Sequence, residues 1–156
     1  MRKLLALSLI LVATVSMTSS SYFWGQTGHR TIGHIADGML SKKARKQVQR
    51  VLGSETLAEV STWMDEIRSD RSYDYANTWH YCTIPDGMTY EEAPEQEGGD
   101  VIWAIETIIE ELKAGQLSAQ EEATKLKFLV HTAIINQLLL FKFLKVKEVK
   151  LKIIIN

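Results

Sequence analysis

Apolar residues recurring every three or four positions constrain this chain more than any other feature, because that period lines one face of a helix and scrambles the faces of a strand. Ile32, Ile35, Ala36, Met39 and Leu40 form the first such run. Ser41 stands at an N-cap position ahead of Ala44, Val48, Val51 and Leu52, and Gly53 ends the run. Leu57, Val60, Ser61, Met64 and Arg68 give a third period of the same kind. From Tyr73 to Gly87 the helical period is lost, IPDG marks a turn, and EEAPEQEGG reads as an acidic loop. Val101, Ile105, Ile108, Ile109 and Leu112 then make a long apolar face that stops at Gly115. Ser118 with Glu121 is a capping box opening a helix through Leu126 and Leu129 to His131. The pattern predicts a single all-α domain of at least four or five helices, with no repeat and no strand pairing. It also predicts that the Ile105 to Leu112 face lacks a covering helix.

Residues 1–23 have a different character. Arg2 and Lys3 precede an apolar run from Leu4 to Val15 and a serine-rich end, the layout of a secretory signal peptide, and the run is too short for a stable transmembrane helix. This places the protein outside the cytoplasm, secreted or periplasmic. Cys82 is the only cysteine, so there is no disulfide framework, and a free buried thiol is expected. From Trp24 to His131 the chain carries 11 Lys+Arg against 18 Asp+Glu. Such an acidic body, with no basic stripe, argues against long-range charge attraction as the main way of holding nucleic acid, and leaves bound metal as a source of positive charge.

Three short motifs carry the chemistry: WGQTGH at 24–29, WMDEIR at 63–68 and WHY at 79–81. Together with His131 they supply three imidazoles and a carboxylate, ligand types that zinc accepts in hydrolytic sites. Each also has a plain structural reading. His29 fits a surface loop, Asp65 a solvated helix face on which Arg68 can pair with it, and His80 a core histidine between Trp79 and Tyr81. His34 is read as structural.

In order and spacing, WGQTGHR, LAEVSTWMDEIR, TWHYCTIPDG, GGDVIWAIE and KLKFLVH resemble the zinc-dependent S1/P1 nuclease family, related to the zinc phospholipases C, over residues 24 to about 131. The resemblance implies a single α-helical domain of the phospholipase C/P1 nuclease type with three zinc ions in a cleft. It implies that Trp24, freed by signal cleavage, chelates one zinc through its amino group and carbonyl with His29 beside it, and that Asp65, His80 and His131 hold a second. Cleavage after Ser20 or Ser21 would leave the Trp24 nitrogen in a peptide bond. The implied reaction is metal-assisted hydrolysis of phosphodiesters in single-stranded DNA or RNA to 5′-phosphates, with 3′-nucleotidase activity. Asp65 and Arg68 are the catalytic candidates, and Tyr81 is a candidate for stacking on a base.

The match departs from the family after FLVH. Where the family continues with Gly-Asp-x-His-Gln-Pro-Leu-His, this chain reads TAIINQLLLFKFLKVKEVKLKIIIN, and Ile135 stands where the bridging aspartate belongs. No histidine follows His131, so at most one or two zinc sites are expected in part. Residues 132–156 are read as an aberrant tail, and the domain as C-terminally incomplete, truncated or frameshifted after about His131. Codons permitted for Thr132 to Leu138, read one frame over, can spell Gly-Asp-His-Gln-Pro. The expectation is therefore a secreted zinc nuclease impaired by truncation, acting on single-stranded nucleic acid or nucleotides, with no protein partner implied. Two alternatives stand beside it: a phospholipase C-like phosphodiesterase, and a non-catalytic helical remnant that binds metal, or membrane through its lysine-rich tail.

Overall fold

Local capping chemistry sets most helix ends in the computed structural model, which describes residues 20–142 and the side chains of 25–135. The described elements are α1 (Ser20–Met39), α2 (Lys42–Leu52), α3 (Leu57–Val60), α4 (Trp63–Glu66), α5 (Val101–Ala114) and α6 (Ala119–Lys142), with 3-10 segments at Ile67–Ser69 and Arg71–His80. No strand occurs among the described residues, and none of their helices is long and apolar enough to cross a membrane. Residues 1–19 of the expected signal peptide and residues 143–156 of the expected tail lie outside the described part. Ser20 to Phe23 belong to α1, and Thr132 to Lys142 continue α6.

The Ser41 hydroxyl accepts the Ala44 amide at the start of α2, and Gly53, at φ 66° and ψ −119°, takes a positive-φ conformation open to glycine and ends it. Thr56 and Glu59 close a capping box on α3, and the Asp37 carboxylate of α1 accepts the Leu57 and Ala58 amides at 3.1 and 3.2 Å. Asp100 caps α5 through the Ile102 and Trp103 amides, and Gly115, at φ 63°, closes it. The Ser118–Glu121 box opens α6.

Two stretches differ from the sequence reading. The helix expected over residues 57–68 is broken into α3, α4 and a 3-10 turn. Its break falls at Ser61 and Thr62, both fully buried, where the Ser61 carbonyl accepts from His131 of α6 at 2.6 Å. The expected loop after Tyr73 is instead a 3-10 segment up to His80, pinned by Trp79, whose indole N–H donates to the Gly98 carbonyl at 3.0 Å.

α6 is the spine of the domain. Phe128 and Leu129 pack with Met64, Ala76, Trp79, Ala104 and Ile108, while Val130 and Ile134 pack with Leu52, Leu57 and Val60. Burying a side chain such as Phe128 stabilises the fold by roughly 1.5–3 kcal/mol. The Ile105 to Leu112 face is therefore not left uncovered: Ile108 is fully buried, and Ile105, Ile109 and Leu112 pack onto the same cluster. Cys82 is free but half-buried rather than buried, and desolvation, then Asp100, pushes its thiol up to about 11. The charge is also less evenly spread than the acidic total suggested. Five of the cations lie on α2, in the run KKARKQVQRVL, which has no acid.

Candidate metal centre

His29, Asp65, His80 and His131 reach one locus from four elements. His29 sits inside α1, and its Nδ1–H donates to the Gly25 carbonyl one turn back at 2.6 Å. His131 sits inside α6, fully buried, and its Nδ1–H donates to the Ser61 carbonyl at 2.6 Å. With Nδ1 so engaged, each ring turns Nε2 toward the other elements. The two rings stack with centroids 4.6 Å apart, and His80, at the end of the long 3-10 segment, meets His131 edge to face at 5.2 Å.

Asp65 of α4 supplies the carboxylate. Its Oδ1 lies 3.4 Å from His80 Nε2 and 3.9 Å from His131 Nε2. Ligand atoms of His29, Asp65 and His131 all fall within 4.8 Å of one another. The His80 imidazole holds the Asp65 carboxyl below its usual range; desolvation opposes this, and His131 and His29 add attraction. Burial pushes His131 down to about 4, partly offset by Asp65, so its imidazole is neutral at pH 7 and Nε2 keeps a lone pair.

The donor set fits a divalent cation. The Nε2 atoms of His29, His80 and His131 are buried without a hydrogen-bond partner. An orphaned buried polar atom costs about 1–3 kcal/mol, so three around one carboxylate need a common partner. Three imidazoles and a carboxylate are ligands that zinc accepts. α1 lies against α3 and brings His29 onto the His131 ring, beside Asp65. Trp24 lies in the first turns of α1, and its side chain is outside the described set.

The remaining candidates lie around this cluster. Arg68 is exposed and does not pair with Asp65; with Tyr73, Asn77 and His80 it lines a shallow depression that reaches the cluster through His80. Tyr81 is 47% exposed, next to His80, while its carbonyl accepts the Val101 amide at 3.1 Å. His34 is exposed. Ile135, half-buried, follows His131 by one turn of α6. The Gly25 and Ser61 carbonyls that orient the two histidines were invisible in the sequence, since any residue supplies a carbonyl.

Comparison with known proteins points the same way. The family model described as S1/P1 Nuclease matches residues 24–133. Nuclease P1 of Penicillium citrinum is 28% identical over 117 residues, covering 69% of this chain and 43% of that protein. Nuclease S1 of Aspergillus oryzae is 26% identical over 131 residues, 78% of this chain and 45% of the relative. Endonuclease 5 of Arabidopsis thaliana is 27% identical over 81 residues, covering 49% of this chain and 27% of the relative. The chain thus spans less than half the length of these curated relatives. With a family match over most of its length and an all-α architecture, the chain belongs to the S1/P1 nuclease family.

Proposed function

We propose that the protein is an exported, zinc-dependent nuclease that hydrolyses phosphodiester bonds of single-stranded DNA or RNA to 5′-phosphates, with 3′-nucleotidase activity. The observation that carries this reading is the convergence of three unpartnered imidazole Nε2 atoms on Asp65, inside the segment that matches the family. His29, Asp65, His80 and His131 would hold the metal. When bound, zinc supplies Lewis acidity toward a phosphoryl oxygen and lowers the pKa of water. The chain's own residues do the rest. The Gly25 and Ser61 carbonyls fix the His29 and His131 rings, Arg68 offers a guanidinium fork to a phosphate, and Tyr81 offers a ring face to a base. Export rests on the leader-like pattern of residues 1–23.

Ile135 favours a second reading, a metal-binding helical domain with little turnover, since it stands where the family resemblance calls for a bridging carboxylate. One experiment separates the two. Purified chain is given zinc and incubated with denatured DNA, RNA or phosphatidylcholine, with and without chelator, beside Asp65→Asn. Zinc-dependent cleavage of nucleic acid to 5′-phosphate ends, lost in Asp65→Asn, supports the nuclease. Zinc binding without hydrolysis supports the second reading, preferential lipid hydrolysis a phospholipase C-like enzyme, and chelator-resistant activity removes the metal mechanism.

A further inference from the structure

α2 is a cationic helix on an acidic body. It carries Lys42, Lys43, Arg45, Lys46 and Arg50 with no acid, whereas the rest of residues 24–131 holds 6 Lys+Arg against 18 Asp+Glu. Two of these cations have internal work: the Arg45 guanidinium donates to the Asp37 carbonyl at 2.6 Å, and Arg50 pairs with Glu122 of α6. Lys42, Lys43 and Lys46 are exposed and make no ion pair or hydrogen bond among the described residues. At 100° per residue the three share one sector of the helix, opposite Ala44, Val48, Val51 and Leu52.

This arrangement does nothing for the helix itself. Lys42 and Lys43 stand in the first turn, where cations oppose the helix dipole by about 0.3–1 kcal/mol each. Lys42 and Lys46, one turn apart, repel by about 0.2–0.5 kcal/mol. The stripe opposes helix stability and makes no ion pair or hydrogen bond with the described fold, which suits it to a partner outside.

We propose that the Lys42–Lys43–Lys46 face of α2 is a docking surface for the phosphate backbone of single-stranded nucleic acid, away from the metal centre. The inference rests on the nuclease reading for the identity of the polyanion. Charge complementarity favours a phosphate chain, because α2 gathers five of the 11 Lys+Arg of residues 24–131 on one helix while 18 Asp+Glu lie outside it. A membrane is disfavoured, since the apolar face of α2 is spent inward, with Leu52 buried and Val48 and Val51 packed on the cluster of Leu57 and Val60. The lysine face is joined to the candidate centre through Arg50 of α2 and its partner Glu122 on α6. Glu122, which holds Arg50, precedes His131 on α6 by nine residues, or roughly 14 Å along the axis. The lysines precede Arg50 on α2 and lie farther from that link, so contact with both sites calls for a strand of several nucleotides rather than a dinucleotide.

The test uses the full chain with zinc bound. Anisotropy of a labelled oligothymidylate is measured over a range of salt for wild type and for Lys42→Gln/Lys43→Gln/Lys46→Gln, with melting temperature and zinc affinity as controls. Each lost phosphate contact should lower the salt slope by about 0.7, so the triple variant loses about 2 in slope and more than tenfold in affinity at low salt. Its melting temperature should be unchanged or higher, zinc affinity unchanged, and any dinucleotide hydrolysis unaffected. Equal slope and affinity in the variant, or lysine-dependent binding to phosphatidylserine vesicles without binding to the oligonucleotide, overturns the proposal. If wild type binds the oligonucleotide through these lysines but hydrolyses nothing with zinc, the nuclease reading falls and the docking surface stands. Zinc-dependent cleavage with lysine-independent binding removes the docking surface and leaves the nuclease reading in place.

Discussion

His29 of α1 and His131 of α6 stack face to face, ring centroids 4.6 Å apart and planes 21° from parallel. Each donates its Nδ1–H to a carbonyl, of Gly25 and Ser61 respectively, and each leaves Nε2 buried without a partner. Burial, with the His29 ring beside it, disfavours a charge on His131, whose Nε2 keeps its lone pair. Replacing His131 by Ala should lower zinc affinity by more than about 100-fold, beyond what loss of an outer-shell orienting group costs. Isothermal titration of the metal-free protein measures it, and near-normal affinity in the variant would remove His131 from the ligand set.

Stability of the metal-free chain should fall in mild acid, and the sign follows from His131. Its folded pKa, about 4, lies below the ordinary 6.5 because of burial. As pH drops through 6.5 the unfolded chain takes up the proton first, so stability present above that pH drains away down to about 4. The gap corresponds to on the order of 3 kcal/mol. Asp65, also held low, works in a separate window: its contribution is present above pH 3.8 and is lost only as pH falls below that. Urea midpoints of chelator-treated protein at pH 7 and pH 4.5 should therefore differ, and His131→Gln should flatten the difference. Equal midpoints in wild type would contradict the burial of a neutral His131.

How much of this was legible in the sequence depended on the range of the interaction. Caps are local, so Ser41, Gly53, Gly115 and the Ser118–Glu121 pair announced helix ends where the structure has them. The break after Val60 was hidden because its cause, His131 against the Ser61 carbonyl, sits 70 positions away. The candidate ligands were visible as residue types, but the approach of His29 to Asp65 and His131 depends on how α1 crosses α3, which no spacing encodes. Counting charge over the whole body averaged away the cations of α2.

That crossing is set by Gly33 and Asp37. A Cβ on Gly33 would stand 2.8 Å from both the Ala58 Cα and the Leu57 carbonyl oxygen, and the Asp37 carboxylate, one turn on, caps α3. Gly33→Ala gains about 1 kcal/mol of helix propensity. The clash is with backbone, which cannot swing aside, and overpacking of this kind costs about 1–3 kcal/mol, so the net effect should be destabilising. Because His29 lies one turn before Gly33, zinc affinity should drop as well. Asp37→Ala should cost about 1 kcal/mol through the lost cap. Thermal melts with zinc titration measure both, and a stabilised Gly33→Ala chain with unchanged affinity would show that α1 adjusts freely.

Ile135 offers the sharpest change to the candidate centre, because it follows His131 by one turn of α6 and so shares its face. Ile135→Asp places a carboxylate where the half-buried isoleucine now lies. Without metal the exchange should destabilise the chain by about 1–3 kcal/mol, since apolar contact is lost and a charge is partly desolvated. With zinc the sign should reverse if the new carboxylate reaches the ion. A tenfold gain in affinity is worth about 1.4 kcal/mol, enough to offset much of that loss, and metal binding to the folded state adds to stability by mass action. Melting curves of both chains with and without zinc decide the matter. A larger zinc-induced rise in the variant places residue 135 at the centre; an equal penalty in both states means it faces elsewhere.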